Sequence, residues 1–104
     1  MRMPRSVKIG HLDFSIELVP QADIGAYGDC HIDGQRIRID KDLKPQTMAE
    51  VLLHELMHAC WPPHMRGCGG KEEETVTALS PNMATWWRDN PLLVRWISHN
   101  LAEH

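Results

Sequence analysis

The sequence predicts an α+β fold: a short antiparallel N-terminal sheet packed on a buried helix, with two further helices toward the C-terminus. Three observations predict it. Alternating apolar residues occur only before Pro45, an Asp33-Gly34 pair separates two such runs, and from Pro45 onward the apolar spacing becomes helical. Strands first and helices afterwards is the α+β order. No internal repeat or linker interrupts it, so residues 1–104 are expected to form a single domain.

Each element has its own signal. Residues 7–18, VKIGHLDFSIEL, alternate as a strand pair or one bent strand turning near Gly10 to Asp13. Residues 20–28, PQADIGAYG, are punctuated by Pro and Gly and read as a loop. A hairpin follows, from Asp29 to Asp33, through Asp33-Gly34-Gln35, to Arg36–Asp40, with Ile32, Ile37 and Ile39 available for one face. Asp-Gly between alternating runs is a specific hairpin cue.

After Pro45, the residues Met48, Val51, Leu52, Leu53, Leu56, Met57 and Ala59 crowd onto more than one helical face, which predicts a buried helix. It should end near Trp61, since Pro62 and Pro63 cannot continue its hydrogen-bond ladder. Residues 62–70 read as a loop made pliable by Gly67, Gly69 and Gly70.

A second helix is expected from Lys71, its opening glutamates suited to the positive end of the helix dipole, with a kink or break at Pro81. Val76, Leu79, Met83 and Trp86 or Trp87 recur along it at helical steps. Pro91 after Asn90 starts a third helix reaching Leu101, with Leu92, Leu93, Trp96, Ile97 and Leu101 as its apolar face. The spacing of Trp61, Trp86, Trp87 and Trp96 fits core packing better than an aromatic ligand box. One of the adjacent pair Trp86 and Trp87 must face outward, which is the feature that would serve a homodimer contact.

Composition narrows the partners. A net charge of −3 leaves no basic footprint for nucleic acid, and no apolar run approaches the roughly 20 residues that span a bilayer. The N-terminus lacks the apolar core of a signal peptide, and Cys30, Cys60 and Cys68 make an odd count that a secreted disulfide scaffold would avoid. A reducing, cytoplasmic setting is therefore expected. Two other uses of the cysteines are a Cys60–Cys68 disulfide in an oxidised sample and a metal site from Cys60, His64 and Cys68, whose spacing is wider than that of zinc knuckles.

The pattern that carries chemistry is His54-Glu55-Leu56-Met57-His58, an HExxH run inside the predicted buried helix. A spacing of four puts both imidazoles on one face, about one turn apart, where they can reach a single Zn²⁺. Glu55 is rotated away from them but can lean toward a metal-bound water as general base and later acid. With seven histidines and seven glutamates, a shuffled chain would acquire HExxH in roughly a few per cent of arrangements, so the helical context has to support the motif.

A catalytic zinc needs a third protein ligand. One source is the acidic run Glu72, Glu73 and Glu74 at the start of the second helix. Glu72 shares a face with Val76, Leu79 and Met83, while Glu73 lies three residues before Val76, so either can point inward. The other source is His64, because HELMHACWPPH fits the spacing HExxHxxGxxH and Met83 would follow as a Met-turn residue. That pattern, however, uses a glycine where this chain has Trp61. Tyr27 and His31 are candidate polarising groups, although a lone Tyr or His is more often a packing residue.

The runs HELMHACW and EEETVTALSPNMATWWRDNPLLVRWI, with the strand IRID ahead of them, resemble the minimal HExxH proteins of phages and prophages, a stripped-down gluzincin pattern covering most of residues 25–100. Asp89-Asn90-Pro91 followed by an apolar helix is a further matching feature. In that pattern a Glu followed by Glu, a variable residue and Val supplies the third ligand, which maps onto Glu73. The resemblance also implies that Ile37 to Asp40 is the strand edge along which an extended peptide pairs; the competing reading is an ordinary sheet edge protected by Arg36, Arg38 and Lys41.

The expected function is zinc-dependent hydrolysis of a peptide or protein substrate, with His54, His58 and Glu73 as ligands and Glu55 as the catalytic residue. The alternative is a zinc-stabilised binding or scaffold module of a phage, or a sensor directed at a repressor or other host protein without general proteolysis. Retention of Glu55 argues against a purely structural metal, which does not require it.

Overall fold

Alternation in the first 40 residues produces strands because each places its apolar side chains on one sheet face and its polar ones on the other. In the computed structural model, residues 2–61 and 72–103 are described, with only the helical backbone at 72, 73 and 76–78. Four strands, β1 (Ser6–Ile9), β2 (Leu12–Val19), β3 (Gly28–His31) and β4 (Arg36–Asp40), precede three helices, α1 (Pro45–Cys60), α2 (Glu72–Asp89) and α3 (Pro91–Leu101). The α+β class, with an N-terminal sheet packed on the HExxH helix, is as expected.

The first hairpin pairs Val7 with Phe14 and Ile9 with Leu12. Its two-residue turn is made possible by Gly10, whose φ of 61° lies in the left-handed region open to glycine. The second hairpin pairs Gly28 with Ile39 and Cys30 with Ile37. Its turn does not use glycine for the left-handed position. Gln35, not Gly34, adopts positive φ, at 52°. Gln35 is held there from several sides: its N–H donates to the Ile32 carbonyl at 3.1 Å, its carbonyl accepts from the Ser15 N–H at 2.9 Å, and its side-chain amide donates to the Asp13 carbonyl at 2.9 Å. Those bonds offset the roughly 1 kcal/mol penalty of a left-handed non-glycine residue.

The sheet is mixed rather than wholly antiparallel, with strand order β1-β2-β4-β3. Strands β2 and β4 run parallel, Ile16 beside Ile37 and Leu18 beside Ile39. Residues 20–27, which include a single 3-10 turn at Gln21–Asp23, carry the chain from β2 past the slot that β4 later fills. The returning strand is secured on both sides there: Asp40 N–H donates to the Tyr27 carbonyl at 2.8 Å and Lys41 N–H to the Val19 carbonyl at 3.0 Å. Ile37–Asp40 is therefore an interior strand. Neither the substrate-edge reading nor the protected-edge reading of that segment applies, because the strand lies between two neighbours and its backbone groups are already paired.

The true edges are β1 and β3. Asn90 covers β1: its side-chain oxygen accepts the Lys8 N–H at 2.9 Å and its amide donates to the Lys8 carbonyl at 2.9 Å. The same amide reaches the Trp86 carbonyl at 2.8 Å, so Asn90 fastens the α2–α3 corner to the sheet instead of capping α3 with its side chain.

One sheet face carries the core. Val7, Ile9, Phe14, Ile16, Ile37 and Ile39 pack against Leu52, Leu56 and Ala59 of α1, Trp86 of α2, and Leu93, Trp96 and Ile97 of α3. Helix α1 ends at Cys60 because Trp61, preceding Pro62, is extended at φ −68° and ψ 122°. Asn82 on α2 then donates to the carbonyl of Cys60, the last residue of α1, at 2.9 Å. Pro81 does not break α2, which continues to Asp89. Of the adjacent tryptophans, Trp86 is fully buried and Trp87 is 56% exposed. Among the described residues no helix is long and apolar enough to cross a membrane.

The opposite sheet face is polar. Arg36 makes two bonds to Glu17, at 2.8 and 3.0 Å, and Arg38 grips Asp29 through both carboxylate oxygens. His31 joins the second cluster at 3.1 Å from Asp29. Hydrogen bonds from Arg38 hold the Asp29 carboxyl below the usual carboxylate range, against a smaller opposing effect of burial. Because the folded pKa is lowered, the stability this group contributes is present above the ordinary value of 3.8 and lost as pH falls through the lower folded value. Asp29→Asn should therefore destabilise the domain by about 1–2 kcal/mol at neutral pH. In urea titrations at a series of pH values, the gap to wild type should close in acid.

Candidate metal centre

Helix α1 presents two different faces to two different surroundings. Leu52, Leu56 and Ala59, spaced as core positions, fix its rotation against the sheet. That rotation turns Glu50, His54, Met57 and His58 outward, so the helix expected to be buried all round is buried on one side. Met57 is 47% exposed. Glu55 falls between Leu52 and Leu56 on the margin of the core and is only 6% exposed.

The two imidazoles converge. His54 Nε2 and His58 Nε2 are 3.2 Å apart, with their rings at 70° and their centroids 4.9 Å apart. Two nitrogens at tetrahedral positions about 2.05 Å from a zinc ion would be separated by about 3.3 Å, so the pair has the spacing such an ion requires. The ligating atoms of His54, Glu55 and His58 all lie within 4.8 Å of one another.

Glu55 is the unusual group. Burial pushes its carboxyl above the ordinary 4.5, His54 and His58 oppose that shift, and the charge of Asp29 adds to it. Among the described residues no hydrogen-bond donor is directed at its carboxylate. A carboxylate in a core-margin position is costly unless something cationic approaches it, and such perturbed groups in clefts are characteristic of functional sites.

What brings the sheet to this carboxylate is Gly28. A Cβ built there would lie 2.7 Å from Val51 Cγ1, 3.1 Å from the Arg38 carbonyl oxygen and 3.3 Å from Glu55 Oε2. Only a residue without a side chain lets β3 approach α1 so closely. The consequence is a cleft between α1 and β3 with Gly28, His54 and Glu55 at its centre. One half, about 640 Å³, extends past Cys30 and Ile32 to His58 and Trp61. The other, about 340 Å³, is bordered by Tyr27, Thr47, Glu50 and Val51.

The predicted site residues divide as follows. His54, Glu55 and His58 come together as the motif requires. Glu73 and Glu72 lie in the first turn of α2, with side chains outside the described residues; His64 and Cys68 lie outside them altogether. Glu74 is exposed and does not belong to the His54–Glu55–His58 group. Cys60 is buried, and desolvation pushes its thiol up to about 11, the behaviour of an inert core thiol. Tyr27 borders the cleft, whereas His31 is engaged with Asp29 and Arg38 on the polar sheet face.

Gly28, Thr47 and Glu50 are cleft residues that sequence reasoning missed. Glu50 had a usable signal, since it precedes His54 by four on the same helical face. Gly28 had none beyond loop punctuation, because its role depends on a contact with residues more than twenty positions away. Comparison with family models, curated proteins and solved structures finds no match to this chain.

Gly28→Ala should destabilise the domain by about 1–3 kcal/mol through overpacking against Val51. Adding Val51→Ala removes the nearest clash, so the double variant should be more stable than the sum of the single effects by about 1 kcal/mol or more in chemical denaturation. Strict additivity would mean that β3 yields without resistance.

Proposed function

We propose that the chain is a zinc-dependent peptidase with His54, His58 and Glu73 as metal ligands and Glu55 as the catalytic acid–base. The observation that carries this reading is the 3.2 Å convergence of the two Nε2 atoms beside a buried carboxylate in a cleft. The assignment of Glu73 rests on the resemblance of Glu73-Glu74-Thr75-Val76 to the third-ligand pattern of minimal gluzincins and on the location of Glu73 in the opening turn of α2.

A bound Zn²⁺ would supply a Lewis acid that activates water and polarises the scissile carbonyl. The protein residues do the rest. Glu55, almost enclosed at the margin of the core, accepts the proton from the attacking water and delivers it to the departing amine nitrogen.

Strand β3, and not β4, is the edge for an extended substrate. Tyr27 accepts a bond from Asp40, so pairing alternates through Asp29 and His31, and the peptide groups of Gly28 and Cys30 are directed to the outer side. A substrate strand added there passes the centre of the cleft at Gly28. A water activated by Glu55 would then act beside the strand rather than beyond its end.

Elemental analysis of protein purified without added metal should find about one zinc per chain. His54→Ala, His58→Ala and Glu73→Ala should lose it, while Glu72→Ala and His64→Ala should retain it. Glu55→Gln should keep the metal and lower peptide hydrolysis by about 10²–10⁴-fold. Absence of metal from the wild type, even after zinc is supplied and the excess removed, would overturn the reading.

A further inference from the structure

The two halves of the cleft differ in charge as well as size. In the half toward Trp61, the walls beyond the histidines are Cys30, Ile32 and Trp61, and the carboxylate of Asp29 is already matched by Arg38 and His31. In the half toward the start of α1, the border is Tyr27, Thr47, Glu50 and Val51. Glu50 is exposed there and takes part in no ion pair among the described residues. No Lys or Arg lines either half among the described residues.

We infer that the Tyr27–Thr47–Glu50–Val51 half of the cleft is a subsite for a lysine or arginine side chain, next to the bond presented to the centre, with an apolar residue on the other side of that bond. This deepens the peptidase reading and rests on it for the position of the bond. The four residues suit the two chemistries of such a side chain. Val51 offers an apolar surface for its methylene stem. Glu50 offers a full negative charge, Thr47 a hydroxyl acceptor, and the 55% exposed Tyr27 a ring face for the cationic end.

The N-terminus of α1 opposes a cation with roughly half a positive charge, but that influence fades within the first turn, whereas Glu50 carries a whole charge on the second. Glu50 therefore dominates. An acidic side chain in this half would meet the charge of Glu50, with no Lys or Arg among the described lining residues to offset it. Glu50 also lies four residues before His54, about 6 Å along the helix, which is between one and two residue lengths of an extended substrate from the metal ligands.

The test uses the full-length, zinc-loaded Glu55→Gln protein, so that binding is read without cleavage. The probes are fluorescently labelled, end-blocked peptide pools that fix an apolar residue and place Lys, norleucine or Glu after it or before it. Fluorescence anisotropy should rank Lys above norleucine and Glu last, with about a tenfold difference between Lys and Glu in at least one of the two orders. Adding Glu50→Gln should level the ranking and Glu50→Lys should reverse it, with zinc content and circular dichroism showing that both variants remain folded and loaded.

A ranking unchanged by Glu50→Lys, or no binding by any pool, would overturn the inference. The ranking with reversal, together with no cleavage of the Lys pool by wild type, would leave the subsite standing and defeat the peptidase reading. Cleavage by wild type without preference for Lys would do the opposite.

Discussion

The contact on which the rest of this molecule depends is the approach of strand β3 to helix α1 at Gly28. That approach encloses Glu55 between strand and helix, turns a surface carboxylate into a desolvated one, and leaves a cleft on either side. Had residue 28 carried a side chain, Val51 would have to shift and Glu55 would have to give by a few tenths of an ångström, so strand and helix could not keep this approach. The closeness of Glu55 to the strand and the shape of the cleft thus both depend on one missing Cβ.

A carboxylate in this position is a local conflict in an otherwise consistent fold. Leu52, Leu56 and Ala59 define a helical stripe that would be better packed with an apolar residue at 55. Conflicts of this kind usually mark sites where stability is exchanged for chemistry. The polar sheet face shows the opposite pattern, since its charges are matched in place: Glu17 with Arg36, and Asp29 with Arg38 and His31. Among the described residues Glu55 and Glu50 at the cleft take part in no ion pair, and it is there that a cation or a cationic ligand has something to gain.

Edge management separates the two ends of the sheet. On β1, Asn90 supplies a side-chain amide that imitates a neighbouring peptide group for Lys8 and at the same time anchors the corner between α2 and α3. On β3, the outer peptide groups of Gly28 and Cys30 border the cleft. One edge is used to hold helices and the other faces the candidate centre, a division that follows from the strand order and that neither hairpin displays by itself.

Local sequence alone determined the elements and the pairing of His54 with His58. Alternation bounded the strands, prolines bounded α1 and α3, and the spacing of His54 and His58 placed both imidazoles on one face, because periodicity and backbone restriction act over a few residues. Pro81 shows the limit of such signals, for a kink or a break is expected there and α2 continues through it unbroken. Only the tertiary structure decided that β4 inserts between β2 and β3, that β3 is an outer strand of the sheet, that Gln35 takes the left-handed turn position, and that Gly28 meets Glu55. Each of those outcomes depends on contacts between segments distant in the chain, and no local pattern of residues encodes which two distant segments will touch.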